Sequence, residues 1–489
     1  MVGMASLRIR DLLTDTAKFL RRRGVDYADL RWEEKLHEEL VVQNLQVQHA
    51  SASASEGVCV RVLNRGAWGY ASSSRFDREG LKQTAEKALE MARAIAQSSG
   101  PKVKLHPVEP ARAQYRTPLE FDPFQVETQK KIDYLLWACH VLKDHPSIRM
   151  ATAVLEFYRT TKLFCSTDGA LIEQRITESG GMLEATAVLE GEVQRRSFPS
   201  SGCSSLAQAG YEHVKGLDFV GQAARVRKEA VTLLRARQCP SGLTTVVLMP
   251  DQLILQLHES CGHPTELDRA LGMELSFAGG SFLTPDLLGK FRYGSKHVNI
   301  TADATVAGGC GTFGYDDEGV PAQRTPLVRE GTFVGYLSSR ESAAQIKRSS
   351  SGAMRADGWN AVPIVRMTNV NLEPGAGTLQ DLLGGVKRGI LLATNKSWSI
   401  DDKRLNFQFG TEIGWEIRNG KLGQVLKNPV YTGITPEFWG SCSGVAGKPE
   451  WQLYGVPNCA KGEPVQVMHV GHGTAPARFE KVQVGAGAR

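Results

Sequence analysis

The 489-residue sequence has no run of about 18 consecutive apolar residues, the length a helix needs to cross a bilayer, and its N-terminus lacks the apolar stretch of a secretory signal. Membrane spanning and secretion are therefore not expected, and a cytoplasmic location is. Basic side chains (58) barely exceed acidic ones (52), for a net charge of +6, and no long basic run interleaved with aromatics occurs. Nucleic acid is not implied as a partner. The Arg21-Arg22-Arg23 triplet reads as the cationic end of a helix before Gly24. Cysteine is sparse: nine residues, an odd count without regular spacing, which suits a reducing compartment with thiols buried or used as ligands.

What is present is ordinary for a globular protein, 42% apolar and 22% charged, and long enough for two domains or a bilobed unit. The patterning predicts helices near 7–23, 76–98, 124–142 and 217–237. Strands are expected near 28–35, 39–48, 57–64 and 67–73, then a meander at 149–159, 161–167, 170–178 and 181–191 turning at Asp168-Gly169. After Gln238-Cys239-Pro240-Ser241-Gly242 comes a buried strand, 244–249. Further strands are expected at 297–306, in a 327–337 hairpin turning at Glu330-Gly331, and at 387–394, 404–410 and 412–418 before Asn419-Gly420. The expectation is an α+β protein: an N-terminal α/β domain of helices and antiparallel meanders over 1–238, and a β-dominated catalytic domain over 239–489 that carries a metal-binding helix.

That helix holds the stretch of most chemical interest, His258-Glu259-Ser260-Cys261-Gly262-His263-Pro264. Neutral imidazoles ligate Zn²⁺, and a carboxylate beside the metal can shuttle the proton of an attacking water. Glu259 is placed for that role. Two histidines five residues apart would diverge by roughly 140° on an ideal helix, so the helix must end or widen between them. Gly262 in a left-handed conformation, Pro264 forcing His263 toward an extended one, or a π-bulge would each serve. Asp251 is a candidate N-cap; Leu253, Ile254, Leu257 and Cys261 form the apolar face, with Cys261 read as a packed side chain rather than a ligand.

Four strings in order resemble the TldD/PmbA family of metallopeptidases: the histidine motif, Gly311-Thr312-Phe313-Gly314-Tyr315-Asp316-Asp317-Glu318-Gly319-Val320-Pro321, Pro363-Ile364-Val365-Arg366-Met367-Thr368-Asn369, and Asn458-Cys459-Ala460-Lys461-Gly462. The N-terminal half is similar more loosely, through Glu56 to Val62 and Gly69-Tyr70-Ala71. The resemblance is to the active, TldD-like members, and it implies one zinc per chain held by His258, His263 and Cys459. It further implies action on short or unfolded peptides, in a homodimer or a heterodimer with a PmbA/TldE-like subunit, with the N-terminal domain serving dimerisation and substrate access. Backbone pairing at a sheet edge would explain broad sequence tolerance.

Other polar strings carry bland readings. Asp316-Asp317-Glu318 before Gly319 reads as a turn with solvated carboxylates, and Arg366 could hold a peptide carboxylate or a buried acid. His469 and His472 read as loop histidines or supports behind a ligand. An HExxGH string also occurs in dipeptidyl peptidase III, but the glutamate-rich second motif of that family is missing downstream. The remaining alternative is a non-catalytic binding subunit of a TldD/PmbA-type complex, which retention of both histidines, Glu259 and Cys459 argues against.

Overall fold

The computed structural model describes residues 2–98, 100–200, 205–277 and 279–485. The first part of the chain builds a seven-stranded sheet from β1 (Tyr27–Gln43), β2 (Gln46–Asn64), β3 (Ala67–Ser73), β4 (Arg112–Arg116), β5 (Ile148–Ser166), β6 (Leu171–Leu189) and β7 (Glu192–Phe198). Its order is β3-β2-β1-β5-β6-β4, with β7 on the far end of β6, and only the β4–β6 pairing is parallel. Helices α1 (Val2–Arg22), α2 (Arg78–Ile95), α3 (Thr128–Lys143), α4 (Tyr211–Leu217) and α5 (Phe219–Leu234) contribute to two apolar clusters with this sheet. α2 starts where Asp77 accepts from Gly80 N–H, an N-cap that satisfies one orphan donor of the first turn.

The strands are longer than their sequence suggested. The segments expected at 28–35 and 39–48 are one strand up to Gln43, with the turn at Asn44-Leu45, and the four-strand meander of 149–191 is two 19-residue strands. Glycines lie within β6 where the two expected strands were split, and they serve close packing: a Cβ on Gly181 would lie 2.0 Å from the Val154 carbonyl oxygen. Asp168-Gly169 is the turn between the two long strands.

The second part is strand-rich: β8 (Arg237–Gln238), β9 (Gly242–Leu248), β10 (Ile300–Asp303), β11 (Arg324–Arg329), β12 (Thr332–Phe333), β13 (Met354–Arg355), β14 (Ile364–Val365), β15 (Val370–Leu372), β16 (Arg388–Ile400), β17 (Asn406–Arg418), β18 (Lys421–Lys427), β19 (Val430–Ile434), β20 (Cys442–Val445), β21 (Gln452–Lys461), β22 (Gln466–Thr474) and β23 (Ala477–Val484). The expected strands at 404–410 and 412–418 are one, β17, while 297–306 shrinks to β10. Strands β16, β9, β23, β19 and β17 pair in that order, and because β16 also pairs β17 the five close into a ring. Strand β9 feeds α6 (Pro250–Leu257), whose Leu253, Ile254 and Leu257, with Cys261 beyond, are buried in the largest apolar cluster. Met249 is the N-cap and Pro250 opens the helix, so Asp251 is not the cap; its carboxylate instead accepts from the Thr394 hydroxyl at 2.5 Å. No described helix is long and apolar enough to cross a membrane.

Candidate metal centre

The helix containing the two histidines neither stops nor turns left-handed. Residues His258–Gly262 form a π-helical turn in which His263 N–H donates to the His258 carbonyl, five residues back. The extra residue per turn brings the imidazoles to one face, with ring centroids 4.8 Å apart and planes at 90°. The two alternatives for this bend are not used: Gly262 has φ −68° and His263 keeps right-handed angles despite Pro264. Glycine is needed at 262 for space, since a Cβ there would lie 2.1 Å from Met367 Sδ.

The hydrogen bonds fix which nitrogen of each ring is free. His472 Nδ1 faces the Val370 carbonyl at 2.9 Å, which only an N–H can do, and its Nε2 lies 2.8 Å from His258 Nδ1. A neutral ring carries one N–H, so His472 Nε2 accepts, His258 Nδ1 donates, and the His258 Nε2 lone pair is left over. His263 Nδ1 sits 2.9 Å from the Glu266 carboxylate, which leaves its Nε2 lone pair facing Cys459 Sγ at 3.8 Å. Burial pushes His258 down to about 4, and pushes His263 and His472 well below the usual imidazole value. All three rings are therefore neutral near pH 7, as ligation requires.

Cys459 reaches the site on β21, and two cations hold its strand. The Arg366 guanidinium donates to the Cys459 carbonyl and to the Gln466 carbonyl, so Arg366 binds main chain and not a carboxylate. Lys461 donates to both Asp268 oxygens at 2.8 and 2.9 Å and to the Val365 carbonyl at 2.6 Å. Burial raises the Cys459 thiol, but the nearby Arg366 charge leads the opposing effects, and the thiol lies below its ordinary value. A lowered thiol and free Nε2 atoms suit a borderline-soft cation.

Donor atoms of His258, His263 and Cys459 all lie within 4.8 Å of one another, and all three residues are buried. Tetrahedral Zn²⁺ ligation places nitrogen and sulfur ligands about 3.6 Å apart, close to the separation of the His263 and Cys459 donors. The residues fit the ion. Glu259, on the same π-turn, is also buried, and one of its carboxylate oxygens pairs with the Arg404 guanidinium. Cys261 is held apart by Tyr293 Oη at 3.0 Å, and burial raises its thiol to about 12.

Other expectations need correction. Asp316, Asp317 and Glu318 are buried, not solvated: Asp316 accepts from three backbone N–H groups, Asp317 pairs with Lys162 and Arg31, and Glu318 with Arg61 and the Arg340 N–H. They clamp the second part of the chain onto β1, β2 and β5. His469 and His472 lie on strand β22, not in a loop, and His469 pairs with Glu178 of β6 at 2.8 Å. Sequence reasoning missed Glu266 and Arg404. The spacing of Glu266, three residues after His263, could have revealed it; nothing local marks Arg404.

Residues 241–486 match the PmbA/TldA metallopeptidase C-terminal domain, and residues 28–92 match PmbA/TldA metallopeptidase domain 1. A metalloprotease of Methanocaldococcus jannaschii is 29% identical over 83% of this chain and 87% of its own length. A Haemophilus influenzae protein named as a metalloprotease TldD homolog is 27% identical over 95% and 94%. TldE from Thermococcus kodakarensis shares the fold, with a TM-score of 0.75 at 16% identity over 97% of this chain and 100% of its own. The chain belongs to the PmbA/TldD family of metallopeptidases.

Proposed function

We propose that this chain is a zinc peptidase of the TldD type that hydrolyses short or unfolded peptides, with one zinc held by His258, His263 and Cys459. The observation that carries the reading is the pair of pre-set tautomers, each with Nδ1–H tied behind and Nε2 free beside a lowered thiol. Zinc, when bound, supplies Lewis acidity to the scissile carbonyl and to the attacking water. Glu259 takes the proton from that water and returns it to the departing amine. His472 and Glu266 keep the imidazoles oriented while charge builds. The likeness of fold to TldE supports assembly with a second chain, another copy or a TldE-like subunit.

The test is elemental analysis of wild type, Cys459→Ala and His263→Ala, with cleavage of unfolded casein measured on the same samples. About one zinc per chain with activity, both lost in the variants, is expected. Metal-free wild type that zinc cannot activate would favour a binding subunit.

A further inference from the structure

Arg404 is an arginine with too few partners for its surroundings. Its side chain is 15% exposed, its one described side-chain bond goes to Glu259, and its Nε is buried without a partner among the described residues. A guanidinium has five N–H donors, and a buried one is normally satisfied at most of them. Its bond to Glu259, the neighbour of His258 on the π-turn, sets the guanidinium beside the metal motif.

The backbone has been arranged to aim it there. Arg404 takes φ +64°, a left-handed conformation uncommon for a non-glycine residue, in the turn between β16 and β17. Asp401 holds that turn by accepting from Leu405 N–H at 2.7 Å and Asn406 N–H at 3.0 Å, and the Thr435 hydroxyl donates to the Arg404 carbonyl at 2.9 Å. Strain held in place by surrounding bonds, next to a catalytic carboxylate, is characteristic of a group that must not drift.

We infer that Arg404 is a second catalytic residue, whose unused guanidinium donors bind the scissile carbonyl oxygen of the peptide and stabilise it as it becomes an oxyanion. This rests on the peptidase reading above. The guanidinium moves no proton and forms no covalent bond; it supplies fixed, planar donors where negative charge develops, while Glu259 handles the proton. Pairing with Glu259 beforehand keeps both groups positioned in the resting enzyme.

The experiment uses the zinc-loaded full chain, casein cleavage, and a phosphinic peptide built on a mapped casein cleavage bond, whose anionic tetrahedral oxygens imitate the reacting carbonyl. Arg404→Ala should keep its zinc, lose about 100- to 1000-fold in kcat with KM little changed, and weaken phosphinic-peptide binding by a similar factor. Arg404→Lys, which keeps charge without the planar fork, should fall between. The loss of phosphinic-peptide affinity should persist when Arg404→Ala is made in Glu259→Gln; if it vanishes there, Arg404 acts only by holding Glu259 and the inference fails. Wild type that cleaves casein and binds the phosphinic peptide, with Arg404→Ala equal to it in that affinity, overturns the role of Arg404 alone. Wild type that does neither overturns the peptidase reading, and this role with it.

Discussion

Two buried clusters of ionisable side chains in this molecule are built to opposite ends. At the junction of the two parts, the acids of Asp316-Asp317-Glu318 are met by backbone N–H groups and by Arg31, Arg61 and Lys162. At the candidate metal centre, donor atoms of His258, His263 and Cys459 converge within 4.8 Å of one another, with Glu259 and its partner Arg404 beside them. Burial of charge does not by itself mark chemistry. Ligand-type atoms that converge on one point, held in place from behind, do.

Substitutions should separate the two clusters by what they damage. Glu259→Gln should lower kcat by about 10²- to 10⁴-fold, the range for a lost general acid–base, while zinc content and melting temperature hold. If zinc is lost instead, Glu259 belongs among the ligands. Asp317→Asn should do the reverse, costing about 3–5 kcal/mol of stability at pH 7 by stranding Lys162 and Arg31, with kcat per folded enzyme little changed. Burial opposes ionisation of Asp317, but Lys162 and Arg31 outweigh it and hold its carboxyl below the ordinary value. Its folded value is depressed, so its contribution is present above the unfolded value near 4 and fades as pH falls through the folded one. Denaturation of wild type and variant should therefore converge in acid; a constant gap would remove the ion pairs as the cause. The smallest effect is expected for His472→Ala, which frees the His258 ring: zinc affinity measured by chelator competition should fall about 10- to 100-fold. Unchanged affinity would mean that the ring is oriented by packing alone.

The same contrast explains what the sequence could disclose. Helix α2, the turns at Asp168-Gly169 and Asn419-Gly420 and strand β9 follow from local signals, and so does the metal helix. The geometric demand set by His258 and His263 even required an ended or widened turn, although the need for glycine at 262 shows only beside Met367. Cys459 stood out only through resemblance, because an isolated cysteine carries no spacing to its distant partners. The long strands were cut short where glycine or polar residues interrupt alternation, and there the cause is cross-strand packing. Asp316, Asp317 and Glu318 read as solvated because the cations that bury them come mostly from β1, β2 and β5, more than 150 residues upstream for Lys162. Arg404 owes its placement to a turn whose purpose is visible only beside Glu259.

Cys459 follows His263 by 196 residues, and β23, made later still, pairs along β9, the strand that launches the metal helix. At a synthesis rate of about 5–20 residues per second, roughly 10–40 s separate the emergence of the two histidines from that of the thiol. An unfinished chain on the ribosome thus carries the histidines and the glutamate without the sulfur that completes the set. Chains broken off before Cys459 are left without it as well, so under the proposed reading the zinc site is complete only once β21 has been made.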